Sequence, residues 1–163
     1  MSQVPRAVEL SIRREALDSP AAQRLIAALN AELAQSYPEP GANHFRLEAE
    51  EVGDNQGALL VGYRAGEAVA CGAVRRIEPE VVEIKRMYVV PAARGCGFSR
   101  CLLRALEQQA VKLNAHRLVL ETGTRQKAAI ALYRSAGFFE IECFGEYAHS
   151  ALSICMAKDI SHR

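Results

Sequence analysis

The segment Tyr88-Val89-Val90-Pro91-Ala92-Ala93-Arg94-Gly95-Cys96-Gly97-Phe98-Ser99 constrains this chain more than any other. An apolar strand runs into an Arg-Gly-X-Gly turn, and an amphipathic helix begins directly after it. Such a turn aims several backbone N–H groups and the positive end of a helix dipole at one point in space. That arrangement suits a pyrophosphate. The plainer alternative is a glycine-rich turn that only caps a helix, because short glycine motifs recur by accident.

Three phosphate-binding patterns compete for this turn. A Walker loop needs Gly-x4-Gly-Lys-Ser/Thr, and no lysine follows Gly97 at the right place. A dinucleotide fingerprint needs a third glycine where this chain has Arg100, and a strand that feeds the turn without the interruption at Pro91. The third pattern, Arg/Gln-x-x-Gly-x-Gly/Ala, fits in its Arg-Gly-x-Gly variant. On these residues the chain resembles the GNAT superfamily of N-acetyltransferases, whose pyrophosphate loop has this form. A second stretch strengthens the resemblance. Ala129-Ile130-Ala131-Leu132-Tyr133-Arg134-Ser135-Ala136-Gly137-Phe138 is similar to the family's Ala-x-x-Leu-Tyr-x-x-x-Gly-Phe segment. The interval from Arg94 to Tyr133 holds one helix, one strand, one loop and one helix, as in the family.

Composition sets the outer bounds. The chain has 163 residues, half of them hydrophobic, with a net charge of +1 from 20 basic and 19 acidic residues. That suits one domain over residues 1–163 with a full core. No basic stripe speaks for nucleic acid. No apolar run is long enough for a membrane span and no signal-peptide pattern is seen, so a cytoplasmic protein is expected. Five cysteines lack metal or disulfide spacing. Cys71, Cys101 and Cys155 read as small core residues. Cys96, at a helix N-terminus, is the one thiol with a setting that lowers a pKa.

Periodicity predicts a mixed α/β layer. A strand over Val8–Arg13 precedes a helix capped at Asp18-Ser19-Pro20 and running to Gln35. A loop over Ala42–Asn55 carries a short element near Phe45–Glu48. Strands over Gly57–Tyr63, Glu67–Ile77 and Val81–Val90 form a meander. A helix over Phe98–Leu113 buries Leu102, Leu103, Leu106, Ala110 and Leu113. A strand over His116–Glu121, a helix over Gln126–Ala136 ended by Gly137, and strands over Phe138–Phe144 and Leu152–Lys158 complete it. The resemblance implies a GNAT-like fold: a mixed, mostly antiparallel sheet flanked by helices, with two splayed parallel strands holding acyl-CoA.

The resemblance also implies acetyl-CoA as co-substrate, no metal, and direct attack by a primary amine in a ternary complex. Backbone N–H groups of Arg94, Gly95, Cys96, Gly97, Phe98 and Ser99 would hold the pyrophosphate, with charge from Arg94 and Arg100. Met87, Tyr88 and Val89 match the strand that pairs with the pantetheine arm, although Met87 and Val89 are equally suited to core packing. Gln126 stands where many members have Asn, which leaves its cofactor contact open. Tyr133 matches the general acid that protonates the leaving thiolate. Glu83, expected by alternation to share a face with Lys85, Met87 and Val89, is the candidate general base, against the alternative of pairing with Lys85 or Arg86.

The acceptor is less legible. Tyr37–Phe45 and the Gly145–Ser150 loop match its usual surroundings, with Glu146, His149 and His44 as candidate contacts. A small-molecule amine is the preferred acceptor. Rival readings are a non-catalytic acyl-CoA-binding module and transfer to a protein N-terminus or lysine. The apolar Phe138-Phe139 stretch is compatible with a homodimer.

Overall fold

Apolar positions repeat with periods of two and of 3.6 residues along the chain, and each pattern becomes a strand or a helix. The computed structural model describes residues 9–42 and 46–160. In order these form β1 (Ser11–Glu15), α1 (Pro20–Ser36), a 3-10 turn (Ala49–Val52), β2 (Gly57–Arg64), β3 (Glu67–Glu78) and β4 (Val81–Val89). Then come α2 (Phe98–Lys112), β5 (Arg117–Gly123), α3 (Lys127–Ser135), β6 (Phe139–Ile141) and β7 (Ser153–Asp159). The start of α1 is as its residues predict. The Ser19 hydroxyl accepts the Ala22 N–H at 3.1 Å, and Pro20 fills the first turn, a cap of about 1 kcal/mol.

The seven strands form one sheet in the order β1-β2-β3-β4-β5-β7-β6. Among the described residues only β4 and β5 run parallel; every other neighbouring pair is antiparallel. Their ladder stops at Ile84 opposite Leu120, although β4 continues to Val89 and β5 to Gly123. The two strands therefore part midway.

A bulge coincides with the parting. Ala73 pairs with Lys85 and Cys71 with Tyr88, so Arg86 and Met87 together stand opposite Gly72. Arg86 takes the left-handed conformation at φ 56°. The extra residue resets the alternation. Glu83, Lys85, Met87 and Val89 thus do not share a face: Met87 and Val89 pack with the α2 side, while Tyr88 joins the α1 side.

Helices cover both faces. On one, Leu102 and Leu106 of α2 and Tyr133 of α3 pack over Val74, Val82 and Leu118. On the other, Ala22 and Leu25 of α1 pack over Leu59, Val61 and Cys71. A fully buried leucine of this kind contributes about 1.5–3 kcal/mol.

Some expectations change. The strand expected over Phe138–Phe144 stops at Ile141, because the chain turns inward to bury Tyr147, whose ring meets Phe144 edge-on at 5.4 Å. Phe45 lies outside the described residues; the short helix near it begins at Ala49, where Glu48 and Glu51 form a capping box. Cys71 and Cys155 are buried, but Cys101 is exposed, on the side of α2 away from Leu102 and Leu106. Phe138 is buried against Tyr133, so of these two phenylalanines it is Phe139, on β6, that is exposed. Among the described residues no helix is long and apolar enough to cross a membrane. No group of three or more His, Cys, Asp and Glu there is placed to hold a metal.

Candidate active site

Where β4 and β5 part, a cleft of about 510 Å³ opens, walled by both strands, α1, the start of α2 and α3. At one end sits the glycine turn. Gly95 and Gly97 adopt φ of 82° and 79°, and no atom stands where their side chains would be. Another L-residue there costs about 1–2 kcal/mol in backbone strain. Gly97 is the N-cap of α2, and Phe98, 4% exposed, anchors the helix in the core. The first-turn N–H groups have no partner within the helix and are suited to bind an anion.

Gly95, Gly97, Phe98 and Ser99 border the cleft, whereas Cys96 is exposed and does not. Arg94 borders it too, but its guanidinium folds back. Nε donates to the Val89 carbonyl at 2.9 Å, Nη2 pairs with Glu32 at 2.8 Å, and the group lies over the Tyr88 ring. It pins the turn to β4 and α1. Arg100 donates to the Ser135 hydroxyl at 3.0 Å and ties α2 to α3.

Midway along the cleft, Met87, Tyr88 and Val89 form the β4 wall, and Gln126 borders it from the start of α3. Tyr133 reaches in from α3. Its hydroxyl donates to Met87 Sδ at 3.6 Å. Burial pushes the phenol up to about 12, so it stays protonated.

The far end is assembled from distant segments. Glu83 is fully buried and does not border the cleft. Its Oε1 accepts from Arg75 Nε at 2.8 Å and its Oε2 from the Tyr147 hydroxyl at 2.7 Å. Burial, and then Glu83, raise the Tyr147 phenol. Arg75 also pairs with Glu51, and Lys85 Nζ bonds the Arg46 carbonyl at 2.8 Å and Glu146 at 3.1 Å. The partners of Glu83 are thus Arg75 and Tyr147, rather than Lys85 or Arg86. Glu146 is held by Lys85, and His149 is exposed away from the cleft. His44 lies outside the described residues.

Tyr37 serves as a latch. Its hydroxyl accepts the Arg125 N–H at 2.8 Å, and a Cβ on Gly123 would lie 1.9 Å from that oxygen. Gly123 must therefore lack a side chain for α1 to close over β5. Arg125 stacks on the Tyr37 ring at 4.9 Å and pairs with Glu39.

Sequence reasoning missed Glu121. It borders the cleft just past the last β4–β5 pair, and its Oε2 accepts from the Ser153 hydroxyl at 3.0 Å. Burial lifts its carboxyl to about 7, with the Ser153 bond pulling the other way. The available signal was a carboxylate ending the apolar run Leu118-Val119-Leu120. Glu121 and Tyr133 both border the cleft, and burial raises the pKa of both.

Comparison with known proteins bears on the family and the fold. The family described as acetyltransferase (GNAT) matches residues 22–138. An IAA acetyltransferase of Azospirillum brasilense is 37% identical over 152 residues, covering 93% of this chain and 98% of its own length. A solved structure from Klebsiella pneumoniae, assigned as an acyl-CoA N-acyltransferase, superposes with a TM-score of 0.77 at 34% identity, covering 92% of this chain and 97% of that one. A GNAT acetyltransferase from Elizabethkingia anophelis with acetyl-CoA bound shares the fold, with a TM-score of 0.66, 18% identity, and 93% and 98% coverage.

Proposed function

The chain belongs to the acetyltransferase (GNAT) family, and on that premise we propose that it transfers an acetyl group from acetyl-CoA to the primary amine of a small molecule, by direct attack in a ternary complex within a single domain. The observation that carries this reading is one continuous cleft bordered by the glycine turn, Tyr133 and Glu121.

Acetyl-CoA supplies the activated acyl group and a thiolate leaving group. The backbone N–H groups from Gly95 to Ser99 bind its pyrophosphate, which the open space at Gly95 and Gly97 supports. The β4 backbone from Met87 to Val89 aligns the pantetheine arm as an added strand, and Gln126 contributes a contact at the start of α3. At the far end Glu121 takes the proton of the attacking amine. An alkyl ammonium with a pKa of about 10.4 needs such a base at neutral pH. Glu121 suits the task better than Glu83, because it borders the cleft and titrates near 7, while Glu83 has both oxygens engaged. Glu83 instead fixes Tyr147 and Arg75.

Tyr133 gives its proton to the departing sulfur. Burial raises the phenol to about 12, so it reaches this step still protonated.

The test is calorimetric titration with acetyl-CoA, using CoA, ATP and NAD as controls, followed by an amine screen for thiol release. Selective CoA binding is expected, and absence of it in folded protein overturns the reading. Tyr133→Phe is expected to lower turnover by about 10² with acetyl-CoA affinity retained.

A further inference from the structure

We propose that Ser153 is the positioning residue of the proton-accepting glutamate: its hydroxyl, oriented by Ser150, holds one oxygen of Glu121 and leaves the other for the amine. This rests on the acetyltransferase reading of the cleft and concerns how the base of that site is controlled.

The sheet brings the three residues together. β5 and β7 pair over seven consecutive positions, with Glu121 opposite Cys155 and Gly123 opposite Ser153. Glu121, Gly123 and Ser153 therefore share a face, and Ser153 is the diagonal neighbour of Glu121. Gly123 has no side chain to compete for that space, and the Ser153 hydroxyl donates to Glu121 Oε2 at 3.0 Å. Ser150 comes from the turn that leads into β7. The Ser150 N–H donates to the Tyr147 carbonyl at 3.0 Å and the Ser153 N–H to the Ser150 carbonyl at 3.3 Å, which sets the two hydroxyl oxygens 2.8 Å apart. The Cys143 thiol donates to the Ser153 carbonyl at 3.7 Å and ties the same residue to the chain that follows β6.

A hydroxyl has one hydrogen and two lone pairs. Ser153 spends its hydrogen on the Glu121 carboxylate, so in the 2.8 Å pair the Ser150 hydroxyl is the donor. Donation thus runs one way, from Ser150 to Ser153 to Glu121. A glutamate side chain has several rotatable bonds, and fixing one oxygen removes much of that freedom before a substrate arrives. The bond engages Oε2, so Oε1 can take a proton without breaking it. In that step an N–H bond of the amine breaks, the proton passes to Oε1, and the nitrogen electron pair forms the bond to the thioester carbonyl carbon.

The same bond sets when Glu121 is ready. A donor to an ionised carboxylate favours that form. Burial lifts the carboxyl to about 7, and the strongest influence acting against it is the Ser153 bond. Glu83 and Glu146 raise it further, while Lys85 lowers it. Arg86 on β4, Tyr133 on α3, Tyr37 at the end of α1, Tyr147 and Cys155 also lie within its electrostatic reach.

The test is a pH titration of the Glu121 carboxyl carbon by NMR, in the full chain labelled with carbon-13 glutamate and with no ligand added. Glu121→Gln identifies the signal. The wild-type midpoint is expected near 7. Ser153→Ala should move it to higher pH, because the ionised form loses its donor. Ser153→Thr keeps the hydroxyl and should restore the wild-type midpoint, and Ser150→Ala should move it upward by less. Acetyl-CoA affinity should be the same in all four proteins. With a primary amine that supports thiol release in the wild type, the rising limb of kcat/KM should follow the carboxyl midpoint in each variant. Its plateau should fall by about tenfold in Ser153→Ala. A midpoint unmoved in Ser153→Ala overturns the proposal, as does an equal displacement in Ser153→Thr. A midpoint that moves while the rate limb stays also overturns it, since the base then lies elsewhere. If the wild type binds no acetyl-CoA, or releases no thiol with any primary amine screened, the acetyltransferase reading falls and the proposal with it. Failure of the Ser153 contact alone shows in the carboxyl midpoint, with acetyl-CoA binding and turnover intact.

Discussion

At one end of the cleft, consecutive residues from Arg94 to Ser99 form the whole turn; at the other, Lys85, Glu121 and Tyr147 border it with Glu51, Arg75 and Glu83 behind them, all drawn from five separate segments. The first region needs only local backbone geometry, two glycines with positive φ and a helix that starts directly after them. The second needs the sheet to be folded before any of its side chains meet. In the proposed reading the first holds a group common to every reaction of such an enzyme, through backbone N–H groups that any sequence with the right turn provides. The second consists of side chains whose charges are balanced against one another in a partly buried setting. Buried ion networks contribute little net stability when complete, and removing a single member is costly.

Three substitutions set the two regions against each other. The largest effect is expected from Glu121→Gln. Wild-type kcat/KM should rise with pH as the Glu121 carboxyl, lifted to about 7 by burial, loses its proton, and then level off. The variant should be slower by about 10² and lack that rising limb. A retained limb would assign the base elsewhere. Stability moves the other way. A carboxyl whose folded pKa lies above its unfolded value costs the folded state stability as pH rises from about 4.5 through 7. Thermal denaturation at pH 8 should therefore find Glu121→Gln at least as stable as the wild type.

A smaller change is expected from Gly97→Val. Strain of about 1–2 kcal/mol and a side chain in the phosphate approach should weaken acetyl-CoA binding by about tenfold or more. Titration that finds normal affinity would remove the pyrophosphate from this turn. The acceptor end should be insensitive to the same change, so acceptor KM at saturating acetyl-CoA should stay as in the wild type.

Tyr147→Phe should have the mildest effect. It leaves one oxygen of the buried Glu83 without its hydroxyl partner, at about 1–3 kcal/mol. The melting temperature should fall by several degrees, and acceptor KM should rise a few-fold with acetyl-CoA affinity unchanged. A shift in cofactor affinity instead would show that the two regions are mechanically joined.

The contrast also explains what was readable in advance. Ser19, Gly97 and the stripe from Leu102 to Ala110 announced their roles through capping chemistry, positive φ and a 3.6-residue period, all of which are local. The β4 bulge was not readable, because an inserted residue is defined only against its partner strand, here Gly72 of β3. Alternation therefore grouped Glu83 with Met87, and the bulge separates them. Glu83 drew attention as a carboxylate on the strand before the glycine turn, yet Arg75 and Tyr147 occupy it. Glu121 drew none, because its raised pKa comes from burial at the point where two parallel strands part.

By itself the sequence determined the order of elements, the glycine turn with its helix, and the position of Tyr133 one helix later, because each depends on residues within a few turns of one another. Tertiary structure alone decided where β4 and β5 separate, which carboxylate faces the cleft and which is sealed by an arginine and a phenol, and that Tyr37 latches against Gly123. Those outcomes depend on burial and on contacts between residues tens of positions apart, and a carboxyl group acquires its chemistry only from the surroundings that remove it from water.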